Sequence, residues 1–176
     1  MKKFNSYETE HLLLKPTSTE DAGFILKLLN SPKWIQFIGD RNVHTEEEAK
    51  EYILEKMTPQ LEKMGFSNYT VIRKKDTVKM GTCGLYDREG VEGVDIGFAF
   101  LPEFENKRYG FEAANKIKQV GFSVFKLAKI QAITTKENLA SQKLIEKLGL
   151  TFKKFTKIPN DIEELMLYEI IKASNQ

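Results

Sequence analysis

The stretch from Asp95 to Ala113, DIGFAFLPEFENKRYGFEA, carries a strand pattern that changes directly into a helix pattern. Apolar residues fill Ile96–Leu101, as is typical of a strand in a sheet interior. Pro102 ends this strand, because proline cannot donate a hydrogen bond to a ladder. From about Tyr109, apolar residues recur at three- and four-residue spacings, which predicts a helix to about Phe125. The stretch therefore predicts a strand, a short polar turn and a long helix.

The turn between them is a candidate anion site. A helix start leaves backbone N–H groups without helical partners, and the helix dipole favours a negative charge there. Lys107 and Arg108 add two cations next to this start. An ordinary strand–loop–helix connection with two solvated cations explains the same residues.

A further strand, 129–135, follows the helix and completes a βαβ unit with a right-handed parallel crossover. Where two parallel strands splay apart, open α/β sheets often bind ligands. Asn138 begins the next helix, which ends at Gly149, so Asn138 and Ser141 would flank this crevice. Asn138 is equally an ordinary helix N-cap, and Ser141 equally a first-turn residue that faces solvent.

The remaining pattern places strands and helices on both sides of this unit. A first strand covers 8–16, and capping boxes at Ser18 and Thr45 open two helices. Pro59 kinks the second of these or starts a short helix of its own. Four further strands are predicted, over 67–75, 78–87, 151–157 and 163–171. The whole chain, 1–176, is predicted to be one mixed α/β domain.

An apolar segment around Trp34 and Phe37 precedes an irregular loop, 40–44. Core packing is the favoured interpretation of these side chains. The alternative is that they form the wall of a substrate pocket.

Charge and rare residues narrow the function classes. The 27 basic and 25 acidic residues are mixed along the chain and give a net charge of +2, which argues against electrostatic binding to nucleic acid or a membrane surface. No leader or long apolar span is evident, so a cytoplasmic location is expected. Cys83 stands alone within a predicted strand and is interpreted as a buried packing residue. Two distant histidines give little support for a metal site.

Three segments together resemble the GCN5-related N-acetyltransferase (GNAT) superfamily, and most of all its branch that acetylates the N-termini of ribosomal proteins. The opening ETEHLLLKPTSTEDA is similar to that branch's ETERLLLRP…EDA. The stretch 95–113 is similar to EIGYWLxPxYWGKGYATEA, and ENLASQKLIEKLGL to NxxSxxxxEKLGF.

This resemblance implies a fold and a donor. The fold is a twisted, mostly antiparallel sheet of about seven strands, with one parallel pair splayed at the cofactor site and about four flanking helices. The donor is acetyl-CoA. Main-chain groups of Phe98 and Phe100 would pair with its pantetheine arm, and Asn138 would contact the middle of the cofactor. Main-chain N–H groups in the turn would hold the pyrophosphate, from Glu105, Asn106, Lys107, Arg108, Tyr109 and Gly110.

The turn departs from the family's pattern of Gln or Arg-x-x-Gly-x-Gly or Ala. Glu105 places a carboxylate where a neutral or cationic side chain is usual, and Arg108 replaces a glycine. Phe111 replaces a small hydroxyl residue. The tyrosine that often acts as the acid would fall at Ile145, and is absent.

The resemblance predicts an acetyl-CoA-dependent N-acetyltransferase that acts on the primary amine of a peptide or a small molecule. Ser141 is the candidate for contacting or protonating the leaving sulfur, and Asp95 is the candidate general base, acting directly or through water. The alternative is a GNAT-fold protein that binds CoA or another ligand in a regulatory or interaction role. A monomer or a homodimer fits either function.

Overall fold

A single eight-stranded sheet organises the computed structural model, which describes residues 4–159 and 161–173. The strand order is β1-β2-β3-β4-β5-β6-β8-β7. The strands are β1 (Tyr7–Glu8), β2 (Leu12–Pro16), β3 (Asn68–Arg73), β4 (Val78–Asp87), β5 (Val94–Phe100), β6 (Lys129–Thr134), β7 (Thr151–Thr156) and β8 (Leu165–Ile171). The helices are α1 (Ala22–Leu29), α2 (Pro32–Phe37), α3 (Glu46–Lys56), α4 (Thr58–Met64), α5 (Tyr109–Ser123) and α6 (Leu139–Lys147).

The sheet is antiparallel except between β5 and β6, which confirms the predicted fold class. Strands β3, β4 and β5 form an antiparallel meander. Helix α5 connects β5 to β6 as the predicted parallel crossover. Cys83 on β4 is fully buried, and burial raises the pKa of its thiol, as expected of a packing residue.

Two apolar clusters stabilise this arrangement. The larger one packs α5 against the sheet, where Ala113, Ala114 and Ile117 are completely buried. The smaller one joins α1 to α3 through residues such as Ile25 and Ile53. The predicted capping box at Thr45 is complete, and its Thr45 hydroxyl accepts a hydrogen bond from the Glu48 backbone N–H at 3.1 Å. The predicted box at Ser18 is half formed: the Asp21 carboxylate accepts from the Ser18 backbone N–H at 3.0 Å, but the Ser18 hydroxyl has no partner within the described residues.

The element counts differ from the expectation of about seven strands and four helices. The predicted first strand, 8–16, is divided by a turn at 9–11, so it contributes both β1 and β2. The segment around Trp34 and the residues after Pro59 form the short helices α2 and α4. Proline at the first or second helical position favours these starts, since its fixed φ suits a helix. Asn160, in the predicted loop 158–163, lies outside the described residues.

The spacing of Ala140, Leu144 and Leu148 predicts the buried face of helix α6, and the structure buries a partly different one. Ile145 and Leu148 are buried, whereas Ala140 is exposed and Leu144 is half-buried. Ala140 and Leu144 both line the cavity described below. Within the described residues, no helix combines the length and apolar character needed to cross a membrane.

Glu112 on α5 fixes the turn between β1 and β2. Its carboxylate accepts hydrogen bonds from the Thr9 hydroxyl and, at 2.9 Å, from the His11 backbone N–H, and it lies 3.1 Å from the His11 ring Nδ1. Burial raises the pKa of Glu112 and these hydrogen bonds lower it, and the net pKa is below its ordinary value.

We expect Glu112 to contribute to acid sensitivity. A carboxylate with a lowered folded-state pKa stabilises the protein above its unfolded pKa, and that contribution disappears as the pH falls through the folded value. The free energy of unfolding should therefore fall from about pH 5 to about pH 3, and Glu112→Gln should flatten this part of the profile. Urea unfolding across that range measures it, with the exposed Glu51→Gln as control. Equal profiles for the wild type and Glu112→Gln would contradict the assignment.

Candidate functional site

The parallel strands β5 and β6 are paired over a very short length and then diverge. Its only bridge in the described sheet joins Asp95 to Gln131, whereas β5 stays paired with β4 up to Phe100. Leu101 donates its N–H to the Met80 carbonyl on β4 at 2.9 Å. Because peptide groups alternate in direction along an antiparallel strand, those of Phe98 and Phe100 point to the open edge. The predicted splayed crevice is therefore present, with an unpaired strand edge along one side.

A cavity of about 420 Å³ occupies this crevice. Four segments that are distant in sequence line it: α2, the end of β5, the turn that leads into α5, and the start of α6. Ten predicted site residues lie together in its wall, namely Trp34, Phe37, Phe98, Phe100, Glu105, Asn106, Arg108, Gly110, Asn138 and Ser141. Residues predicted to bind the acetyl donor and residues predicted to bind the acetyl acceptor therefore line the same cavity.

The turn before α5 reaches its helix through two left-handed residues. Asn106 has φ +56° and Arg108, the N-cap, has φ +67°. Asparagine tolerates this conformation, whereas for arginine it costs about 1 kcal/mol, which a glycine would avoid. The first helical hydrogen bond runs from the Glu112 backbone N–H to the Arg108 carbonyl at 3.0 Å. The backbone N–H groups of 109–111 therefore have no partner within the helix.

The charges of the cavity wall favour an anion near this helix start. Lys33, Arg108, Lys143 and Lys147 line the cavity, against the single carboxylate of Glu105. Glu105 forms an ion pair with Lys33, and its side chain is only 19% exposed. The acidic residue that departs from the family pattern therefore has its charge compensated within the wall.

Asn138 and Ser141 meet at the start of α6. The Asn138 side-chain carbonyl accepts a hydrogen bond from the Ser141 backbone N–H at 3.1 Å, so Asn138 is the helix N-cap. Both side chains also line the cavity. The cap uses the amide oxygen, which leaves the amide NH₂ to donate to a ligand. Capping and ligand contact are thus compatible at the same residue.

Asp95 lies outside the residues that line the cavity. It is 1% exposed, and its two carboxylate oxygens accept hydrogen bonds from Arg88 at 3.1 and 3.3 Å. Burial raises the pKa of Asp95 above its ordinary value although Arg88 acts in the opposite direction. The structure therefore brings Ser141, but not Asp95, to the crevice.

Lys107 and Tyr109 also lie outside the cavity wall. The Tyr109 ring is 5.9 Å from the Arg73 guanidinium, on the β3 strand, and Lys107 lies 6.0 Å from the Phe104 ring. The predicted contacts of these two residues with a ligand are made by their backbone N–H groups, and they stay predictions.

Sequence reasoning missed three lysines of the wall. Lys143 and Lys147 share a helix face with Ala140 and Leu144, so the 3.6-residue period of α6 held a signal for them. Lys33 had no such signal, because it reaches the site through the placement of α2. Ile145, at the tyrosine position, is 1% exposed. No cluster of three potential metal-ligating side chains occurs in 4–159 or 161–173.

Comparison with known proteins gives a family match over most of the chain. The model of the acetyltransferase (GNAT) domain matches residues 11–151. The uncharacterized N-acetyltransferase YnaD of Bacillus subtilis is 28% identical over 149 residues, which cover 85% of this chain and 84% of that protein.

Solved structures share the fold. An acetyltransferase (GNAT family) from Bacillus anthracis superposes with a TM-score of 0.78 at 25% identity, covering 95% of this chain and 98% of that one. RimL, a ribosomal L7/L12 alpha-N-protein acetyltransferase in complex with coenzyme A, gives a TM-score of 0.79 at 14% identity, with coverage of 95% and 98%. At that identity the second likeness shows the fold alone.

Proposed function

The chain belongs to the acetyltransferase (GNAT) domain family, whose members are enzymes that use acetyl-CoA, and from this membership we propose that it transfers the acetyl group of acetyl-CoA to a primary amine. The observation that carries the proposal is the 420 Å³ cavity at the splayed strands, bounded by an open strand edge and a helix start. Its geometry suits a donor with an extended amide-containing arm and a phosphorylated end.

The arm of acetyl-CoA would lie along β5. The peptide groups of Phe98 and Phe100 face the crevice and are able to pair with the arm's amides as an added strand would. Their rings, together with Leu144, supply apolar contacts for its methylenes. The NH₂ group of Asn138 would donate to the same arm.

The phosphates would lie at the turn. The N–H groups of 109–111 point from a helix start, where the dipole favours an anion. Arg108 provides a charge-assisted donor, and Lys143 and Lys147 extend the positive wall along α6. Arg108 would thus replace the missing glycine by a direct charge contact.

The transfer itself needs three events. The neutral amine nitrogen attacks the thioester carbonyl carbon, the resulting tetrahedral intermediate loses the C–S bond, and the thiolate of CoA takes up a proton as the amine loses one. Of the described residues, two serines line the cavity, and because the Ser31 hydroxyl donates to the Leu28 carbonyl at 2.7 Å, Ser141 is the candidate for donating to the departing sulfur. Trp34 and Phe37 would form the acceptor wall.

A second candidate function is a GNAT-fold protein that binds CoA without efficient transfer. The residues that favour it are Glu105 and Arg108 in the turn and Ile145 in place of a tyrosine. Calorimetry with acetyl-CoA and CoA, followed by thiol release with panels of peptides, polyamines and aminoglycosides, separates the two. Binding with turnover supports the enzyme, binding without turnover on any amine supports the alternative, and no binding at millimolar ligand removes the enzyme and leaves a GNAT-fold protein that binds another ligand.

The acceptor class is also a proposal. RimL is a ribosomal L7/L12 alpha-N-protein acetyltransferase. Two segments of this chain, ETEHLLLKPTSTEDA and ENLASQKLIEKLGL, resemble the branch that acetylates the N-termini of ribosomal proteins. A peptide N-terminus is therefore the first acceptor to test, with a cytoplasmic location as the corresponding expectation.

We expect Arg108→Gly to weaken CoA binding about fivefold, because the cationic contact is lost, whose contribution is about 1 kcal/mol. The same change relieves the left-handed strain, so the melting temperature should stay constant or rise by about 2 °C. Asn106→Gly is the control, since it changes a left-handed residue without removing charge. Tighter CoA binding by Arg108→Gly in calorimetry would show that the side chain obstructs the phosphates.

A further inference from the structure

Helix α2 covers the cavity although the core holds it weakly. None of its residues, Pro32–Phe37, is buried. Trp34 packs on the edge of the α1–α3 cluster and Phe37 faces the cavity. The indole N–H of Trp34 is shielded from solvent and has no hydrogen-bond partner in the described part of the chain. These features describe a wall element whose position depends on few contacts.

One of those contacts reaches the turn before α5, residues 103–108, named the phosphate turn because the proposed function places the phosphates there. Lys33 on α2 forms its ion pair with Glu105, and both residues line the cavity. A second ion pair reaches the same turn from α1, where Lys27 lies 2.8 Å from Glu103, but neither of its residues lines the cavity. Only the first pair therefore connects the proposed phosphate position to the proposed acceptor wall.

We propose that the Lys33–Glu105 ion pair couples occupancy of the phosphate turn to the position of α2, so that a bound phosphate moves Trp34 and the acceptor wall. The inference deepens the proposed function and rests on it. Lys33 and Glu105 are positioning residues in this role, since they act on the acceptor through α2.

The physical basis is competition between anions for one cation. Glu105 lies in a turn whose helix start and Arg108 attract phosphates. An arriving phosphate carries more charge than the carboxylate, repels it and attracts Lys33. Since the pair is largely shielded from solvent on the Glu105 side, this exchange is screened less than at an open surface. The ion pair is one of the few contacts that hold α2, so a change of partner by Lys33 changes the position of α2 and, with it, of Trp34, the next residue along the chain.

Trp34 also reports on the motion, because it is the only tryptophan in the sequence. Adenosine 3′,5′-diphosphate carries phosphates of CoA but lacks the pantetheine arm. Bound with its 5′-phosphate at the turn, it would have no group that extends along β5. A change in tryptophan fluorescence that disappears with the ion pair, while the nucleotide still binds, therefore measures coupling, whereas a change caused by direct contact would persist.

The experiment titrates this nucleotide into the wild type and four variants, with occupancy measured independently by calorimetry. We expect a saturable Trp34 fluorescence change in the wild type that is lost in Lys33→Met and in Glu105→Gln. Affinity should move in opposite directions, weaker in Lys33→Met and tighter in Glu105→Gln, because one removes a cation and the other a competing anion. The exchange Lys33→Glu with Glu105→Lys should restore the signal. Lys27→Met with Glu103→Gln, the matched pair outside the cavity, should keep it.

Three results would overturn the coupling. They are a nucleotide that binds the wild type without changing Trp34, a full signal retained in saturated Lys33→Met, and CoA binding without any binding of the nucleotide. Failure of the proposed function looks different, because then either CoA itself gives no calorimetric signal or it binds and no amine is acetylated. A lower acceptor Kd in the presence of a non-reactive CoA analogue, absent in Lys33→Met, is the corresponding binding expectation.

Discussion

Replacing Ser141 by alanine is expected to lower kcat for acetyl transfer about 100-fold, because the thiolate of CoA then leaves without a positioned proton donor. The KM for acetyl-CoA should change little, since the arm and the phosphates keep their proposed partners. The fold should also be unaffected. The Ser141 contact that caps α6 is its backbone N–H, which alanine retains.

The measurement is thiol release with the best acceptor from the panel, at saturating acetyl-CoA. Ser123→Ala is the control, since that hydroxyl donates to the Gln119 carbonyl on the exposed side of α5. Turnover by Ser141→Ala within twofold of the wild type, at an unchanged melting temperature, would remove Ser141 from the mechanism.

The second large effect concerns the ion pair between Arg88 and Asp95. Arg88→Met should destabilise the protein by about 2 kcal/mol, because it leaves the Asp95 carboxylate buried without its partner. The cost stays below that of a fully buried pair, since 35% of the Arg88 side chain is exposed. The melting temperature should fall by about 4 to 8 °C.

The pH dependence of this loss has a defined sign. Burial already raises the pKa of Asp95, and loss of Arg88 removes the influence that lowers it. A carboxyl group whose folded-state pKa is raised binds its proton more readily when folded, so stability falls as the pH rises above the unfolded value. The deficit of Arg88→Met should therefore be larger near neutral pH than near about pH 4.

The double variant Arg88→Met with Asp95→Asn separates structure from catalysis. The amide carries no charge, so stability should recover most of the loss. If Asp95 only anchors β5, the double variant keeps turnover within about tenfold, the result that its burial and its place outside the cavity favour. If Asp95 is the general base, the recovered fold will be accompanied by a turnover loss of about 100-fold or more.

Most of the elements that form the proposed donor site could be predicted from local pattern. The strand from Ile96 to Phe100, its end at Pro102 and the helix after Arg108 follow from hydrophobic period and proline chemistry, and all are present. The sequence left open whether Asn138 is a helix N-cap or a residue that flanks the crevice. In the structure Asn138 caps α6 and also lines the cavity.

The acceptor side was less predictable. The apolar segment around Trp34 was assigned chiefly to the core, but α2 has no buried residue and forms a wall. Composition cannot separate these cases, since an apolar side chain favours a buried core and a covered pocket alike. The sequence likewise showed that Glu105 departs from the family's turn pattern. It could not show that Lys33 neutralises the Glu105 charge, because Lys33 lies on an element about 70 residues away in sequence.

The sequence by itself determined the βαβ unit and the turn within it, because hydrophobic period, caps and turn residues act between neighbours along the chain, and its motifs resembled the family that the comparison shows. Only the tertiary structure determined which charged side chains form ion pairs with one another. It paired Asp95 with Arg88 away from the cavity, joined Lys33 to Glu105 within it, and placed α2 over the splayed strands. Those outcomes depend on packing between distant segments, where distance and burial fix the strength of a charge pair and local pattern carries no information about either.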